Sequence, residues 1–211
     1  MRVRIKICGL TRVDDALAAV AAGADALGFV FTNRSRRQVE PDAAARIVAA
    51  LPPFVSTVGL FVDPTPTWVK AVLERVPLNT LQFQGAETDA ECAQFGLPFV
   101  KAVRVDGPVD GVALAASYPR ASGFQLDAAV SGQLGGTGQT FDWRWFPRVP
   151  AAPWILAGGL TDANVGTAVL SVAPFAVDVS TGVELTPGIK DHAALRRFCA
   201  AVRVAAGALP D

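Results

Sequence analysis

The sequence is poor in the residues that bind metals and cross-link secreted proteins. It holds three cysteines, Cys8, Cys92 and Cys199, and one histidine, His192. An odd set of widely spaced cysteines gives no disulfide framework and points to a reducing compartment, by default the cytoplasm. One histidine without a close cysteine pair offers no ordinary zinc ligand set, so no metal is expected, and a metal-dependent epimerase is disfavoured. His192 follows the helix-capping Asp191, a place that suits surface structure better than a Ser-His-Asp triad. An excess of one charge is also missing, since Lys plus Arg number 19 and Asp plus Glu number 19. Nucleic-acid binders ordinarily carry a basic surplus, so small molecules are the expected partners and nucleic acid is not. No apolar run reaches about 18 residues, so no membrane-spanning helix is expected. The opening MRVRIKICGL alternates charged and apolar side chains, unlike the apolar stretch of a secretory leader. No GxGxxG follows the first β-like run, which weakens the case for a doubly wound dinucleotide-binding sheet.

What is present is a repeating alternation. Eight β-like runs occur in order: VRIKIC, ALGFVF, STVGLFV, TLQFQ, FVKAVRV, GFQLD, PWILAGG and FAVDVS. Alanine-rich stretches with helical spacing separate most of them. Strands alternating with helices pair in parallel. Eight such units in 211 residues predict a single (β/α)8 TIM barrel, one α/β domain spanning residues 1–211. Thr11 is the expected N-cap of the first helix, with Asp14 placed for a capping box. Val13, Leu17, Val20 and Ala21 share one face of that helix, and Gly23 is its expected stop. Pro41 suits the first position of a second helix. Asp191 is the expected cap of the last helix, with Leu195, Phe198 and Val202 on its core face.

Strand parity then says which side chains point into the barrel. Arg4, Lys6 and Cys8 share a face, as do Gln82 and Gln84, Gln125 and Asp127, and Asp178 and Ser180. An inward Lys6 needs a counter-charge, because an isolated buried charge is costly. Asp178 is the candidate. Cys8 ends the first strand on the inward face, at the rim where barrels of this kind carry their chemistry. A buried structural cysteine is the ordinary alternative. Lys6 and the helix start at Thr11 are possible sources of positive potential that would lower its thiol pKa. Asp127 ends the sixth strand, where burial would raise a carboxyl enough to make it a general acid. A loop-capping aspartate is the alternative. The late glycines, in GGTG (135–138), AGG (157–159) and STG (180–182), fall where such barrels bind phosphate. AGGLTDANV supplies backbone N–H groups and then a helix start at Thr161 or Asp162, a good anion site. Arg34, Arg36 and Arg37 are either a solvated face or a carboxylate clamp. Trp143 and Trp145 read as packing rather than as a base-stacking platform.

Together, KICGLT, GADALGFVF followed by SRR, LQFQGAE, the LD of strand six, GGTGQTFDW, AGGL, and PFAVDVSTGVE with PGIKD resemble the phosphoribosylanthranilate isomerase family of tryptophan biosynthesis. The likeness runs in order over essentially the whole chain. It implies a cofactor-free Amadori rearrangement of N-(5'-phosphoribosyl)anthranilate to 1-(2-carboxyphenylamino)-1-deoxyribulose 5-phosphate. Cys8 matches the family's general base, Asp127 its general acid and Arg37 its anthranilate-carboxylate arginine. Gly158, Gly159, Ser180, Thr181 and Gly182 match its phosphate loops, with Asp178 beside the substrate. Two positions depart from the family pattern: Gln84 stands where histidine is common, and Gln139 where lysine is common. Nothing in the sequence requires an oligomer. A histidine-pathway isomerase of the same fold would need a second phosphate loop after strands three and four, and FVDPTP and FQGAET do not resemble one. A non-catalytic phosphosugar-binding module is the other alternative.

Overall fold

A computed structural model describes residues 2–128, 140–149 and 152–209. Eight parallel strands close into a barrel in sequence order. They are β1 (Arg4–Cys8), β2 (Ala26–Val30), β3 (Ser56–Phe61), β4 (Thr80–Phe83), β5 (Phe99–Val105), β6 (Gly123–Ala128), β7 (Trp154–Leu156) and β8 (Ala176–Val179). Each falls within one of the eight β-like runs or a residue beyond it. The helices are α1 (Val13–Ala22), α2 (Pro41–Ala49), α3 (Pro66–Leu73), α4 (Asp89–Ala93), α5 (Gly111–Ser117), α6 (Val165–Val172) and α7 (His192–Gly207). Among the described residues, the β6–β7 connection holds only a 3-10 turn at Trp143–Trp145. A short antiparallel pair, β9 (Glu184–Thr186) and β10 (Ile189–Lys190), sits between β8 and α7. The alternation of strands and helices does not foretell that hairpin. No helix among the described residues is long and apolar enough to cross a membrane.

Parity sorts the strand residues as the sequence suggests. Ile5, Ile7, Leu27, Phe29, Phe83, Phe124 and Leu126 belong to the large core between strands and helices. Burying such side chains contributes about 1.5–3 kcal/mol each. The inward positions hold the polar set instead. Several helix signals also hold. Pro41 opens α2. The Asp191 carboxylate accepts from the N–H groups of Ala193 and Ala194, and Leu195, Phe198 and Val202 are buried. Gly23 ends α1 with φ 100, a left-handed conformation that glycine adopts without a Cβ clash.

The start of α1 differs from expectation. Its N-cap is Arg12, with no side-chain cap, and Asp14 makes no capping box. The Thr11 hydroxyl instead donates to the Gly188 carbonyl, 2.6 Å away in the β9–β10 turn. A tertiary partner has displaced the local cap. The buried face of α1 is Asp15, Ala16, Ala19 and Ala22, while Leu17 is exposed. Alanines let α1 lie close to the barrel and to α7. Val13 and Val20 of the expected stripe are only partly buried, packed at the edge of the core.

Candidate active site

The C-terminal ends of the strands surround a cleft lined by Cys8, Asp127, Asp178, Ser180, Gln84 and Gln125, among others. Cys8 lies on β1 and Asp127 on β6, three strands apart around the closed ring through β8 and β7. They are therefore not diametrically opposed, yet both face the same opening. A second depression adjoins the first and shares Asp127, Asp178 and Ser180 with it. It is walled by Gly158, Gly159, Thr181 and Gly182.

Lys6 and Asp178 are cross-strand partners on β1 and β8, with Nζ 2.9 Å from Oδ1. The ion pair expected from parity is present. Burial opposes the Lys6 charge, but Asp178 and then Cys8 outweigh it, so the lysine pKa stays raised. Cys8 behaves otherwise than its neighbours suggest. Burial pushes the thiol pKa up, Lys6 pulls it down, Asp178 pushes it up again, and the net direction is upward. The lysine is shared with the carboxylate beside it, and its pull on the thiol does not overcome burial.

Asp127 is raised to about 6, first by burial and then by the charge of Asp178. The N–H of Ala128 and the charges of Arg104 and Lys6 act in the opposite sense without cancelling the rise. A carboxyl near neutrality is suited to donating a proton. Gly158 is part of the same arrangement. Its φ is 85, and a Cβ there would stand 2.5 Å from the Ala128 nitrogen and 2.8 Å from Asp127 Oδ1.

Gly28 makes room for the thiol. It is the β2 partner of Cys8, and a Cβ at Gly28 would lie 2.8 Å from Cys8 Sγ and 3.2 Å from Lys6 Nζ. Cys8, Val30, Leu60 and Val62 form an apolar cluster separate from the main core. One wall of the cleft is thus apolar and the other polar.

Gly182 brings together the two loops that wall the second depression. A Cβ there would sit 1.9 Å from the Leu160 carbonyl oxygen, so the loops after β7 and β8 approach at backbone distance. The expected helix start at Thr161 or Asp162 is later in fact. α6 begins at Val165, and the Asn164 side chain accepts from the Thr161 N–H at 2.8 Å. Loop residues rather than a helix end therefore wall the depression. The Ser180 and Thr181 hydroxyls are both engaged within the protein. Ser180 donates to Glu184 at 3.4 Å, and Thr181 accepts from Arg37 at 3.0 Å. GGTG (135–138) and Gln139 lie outside the described residues.

The three arginines differ. Arg36 is exposed and away from the cleft, whereas Arg34 and Arg37 both line it, Arg34 while paired with Asp63 at 3.3 Å. Arg37 presents its Nε and Nη2 edge to Glu184, with distances from 2.8 to 3.1 Å. Glu184 also accepts from Lys190 Nζ at 2.7 Å, and that ammonium donates to the Cys8 carbonyl at 2.6 Å. Burial would raise the Glu184 pKa, but Arg37 and Lys190 keep it low. Burial lowers Lys190. Sequence alone does not single out Gly28, Glu184 and Lys190. A glycine inside a strand is the available signal for the first. The other two stand inside GVE and PGIKD, where nothing local distinguishes a buried charge from a solvated one.

His192 begins α7 and bonds Asp15 at 2.8 Å, far in role from the cleft. Trp143 and Trp145 pack against the core, as expected. After β3 and β4, the carboxylates of Asp63 and Glu87 take the N–H groups of Asp63, Gly85 and Ala86. Those amides are committed to the protein's own carboxylates.

Residues 5–201 match the family model described as N-(5'phosphoribosyl)anthranilate (PRA) isomerase. An N-(5'-phosphoribosyl)anthranilate isomerase of Pseudomonas fluorescens is 54% identical over 201 residues, covering 95% of this chain and 98% of the relative. One of Thiobacillus denitrificans is 55% identical over 199 residues, covering 94% and 97%. Among solved structures, the phosphoribosyl anthranilate isomerase of Thermotoga maritima superposes with a TM-score of 0.88 at 40% identity, covering 96% of this chain and all of that one, 100%. A further such structure, in complex with reduced 1-(o-carboxyphenylamino)-1-deoxyribulose 5-phosphate, gives 0.80 at 37% identity, covering 96% and 100%. The chain belongs to the N-(5'-phosphoribosyl)anthranilate isomerase family.

Proposed function

We propose that the family's rearrangement of N-(5'-phosphoribosyl)anthranilate is run here with Asp127 as general acid and Cys8 as general base. The observation that carries this assignment is that both line one cleft while the Asp127 pKa is raised to about 6. Asp127 protonates the furanose ring oxygen, and the ring opens to a protonated Schiff base. The electron-poor C1 acidifies the C2 proton, which the Cys8 thiolate removes to leave an enolamine. Tautomerisation places a proton on C1 and releases one from the C2 hydroxyl, giving the ketone. The isomerisation is neutral in protons and electrons overall.

The phosphate is assigned to the loop amides around Gly158, Gly159 and Gly182, with Asp178, Ser180 and Thr181 framing that corner. The anthranilate ring is assigned to the apolar wall of Val30, Leu60 and Val62, with its carboxylate toward Arg37. The Glu184 fork orients that guanidinium. The working unit is one domain over residues 1–211, and three buried free thiols favour a reducing, cytoplasmic setting.

Cys8→Ala and Asp127→Asn test the roles directly. Each is expected to lose about 10²–10⁴-fold in kcat with the fold retained by circular dichroism. Undiminished turnover in either variant refutes that residue's role.

A further inference from the structure

We infer that Gln125 is a substrate-contacting residue whose carboxamide hydrogen-bonds a sugar hydroxyl at the floor of the cleft. This rests on the isomerase reading and adds to it a residue with no role in the assignments above. Gln125 lies on the inward face of β6, one pleat below Asp127 and about 7 Å deeper along the strand. It is 3% exposed, and its Oε1 has no hydrogen-bond partner among the described residues. Buried polar groups are almost always paired, so an orphaned one needs an explanation.

The surroundings narrow what that explanation is. Two of the other inward polar groups nearby are paired within the protein, Lys6 with Asp178 and Ser180 with Glu184. Gln125 faces the space that Cys8 and Asp127 share. Gln82 also has an orphaned atom, but it opens toward the opposite end of the barrel, beside Arg4 and Val100. The ligand chemistry follows from the carboxamide. It is uncharged, so it selects no ion. One end accepts and the other donates, and a hydroxyl satisfies either orientation because it does both. The phosphate belongs to the loops after β7 and β8, and the aromatic ring to the wall on β2 and β3. The part of the substrate left to lie over β6 is the hydroxylated sugar. A hydrogen bond from below would hold the sugar between acid and base, an orientation effect.

Gln125→Leu and Gln125→Met remove the polar group with little change of volume. Calorimetric titration compares two probes: reduced 1-(o-carboxyphenylamino)-1-deoxyribulose 5-phosphate, which carries the hydroxyls, and inorganic phosphate, which does not. We expect the analogue to bind about tenfold or more weakly to both variants, and phosphate to bind within about twofold of wild type. The melting temperature should hold or rise, because an unpaired buried acceptor has been replaced by an apolar group. Analogue affinity within about twofold of wild type overturns the inference. So does a parallel loss of phosphate binding, or a fall in melting temperature in both variants, since either marks Gln125 as structural. Wild-type turnover, measured separately, decides the isomerase reading. The analogue titration decides Gln125 whatever that assay gives.

Discussion

Lys6 Nζ lies 2.9 Å from Asp178 Oδ1, across the β1–β8 seam that closes the barrel. Both side chains are 7% exposed. The pair therefore carries charge in the interior and neutralises it there, one pleat below the thiol of Cys8.

Asp178→Asn is expected to leave a buried, uncompensated ammonium. Breaking such a pair costs about 3–5 kcal/mol. Denaturant unfolding should show that loss, and the double change Lys6→Met with Asp178→Leu should recover most of it. A single variant as stable as wild type would mean that the two charges are not coupled.

The pH dependence of kcat/KM should report both catalytic groups. The proposed cycle needs a protonated Asp127, raised to about 6, and an ionised Cys8, whose burial raises it. Below about 6 the acid is fully protonated, and the rate falls tenfold per pH unit with the thiolate fraction. Above that value, loss of the acid form and gain of thiolate cancel, so a plateau follows up to the thiol's own titration. In Asp127→Asn the residual rate should keep climbing with pH, with no break near 6. A break that persists in that variant would assign it to another group.

The same carboxyl makes a stability prediction of definite sign. Its folded value, about 6, lies above its ordinary 3.8, so the charged form is disfavoured in the fold. Its favourable contribution is complete below the unfolded value and is lost as pH rises through the folded one. Asp127→Asn should therefore be more stable than wild type at pH 8, by up to about 3 kcal/mol. The advantage should vanish toward pH 3 in unfolding titrations. Equal stability of the two proteins at pH 8 would contradict it.

Gly28→Ala should cost activity more than stability. The new methyl meets the thiol at 2.8 Å and a neighbouring Cα at 3.2 Å. Overpacking of this kind costs about 1–3 kcal/mol. Displacing the proposed base by about 1 Å is expected to cost about 10²-fold in kcat. Steady-state kinetics beside a melting curve separates the two effects.

Glu184→Ala should raise KM more than it lowers kcat. Without the carboxylate, the Arg37 fork loses the partner that orients it. A substrate analogue built on aniline, lacking the carboxyl group, should show a much smaller change. An equal change for both substrates would place Arg37 elsewhere in recognition.

Much of this was legible in the sequence because it follows from a period of two. Parity along VRIKIC and GFQLDA sets Lys6, Cys8, Gln125 and Asp127 inward, and no tertiary information is needed for that. Length and alternation likewise predict eight parallel strands. Local rules failed where a distant partner outbid them. Thr11 gave up its cap for the carbonyl of Gly188, and α1 buries Ala16, Ala19 and Ala22 in place of the stripe expected from spacing.

The sequence by itself determined which residues face the cleft and which elements carry them, because side-chain direction and hydrogen-bonding pattern are local properties. Only the tertiary structure decided how those residues are tuned. Burial raises both Cys8 and Asp127, Glu184 bridges Arg37 and Lys190, and Gly28 and Gly182 leave room for atoms brought close by barrel closure. Desolvation and Coulomb interactions depend on distance through space, and that distance is absent from the order of residues along the chain.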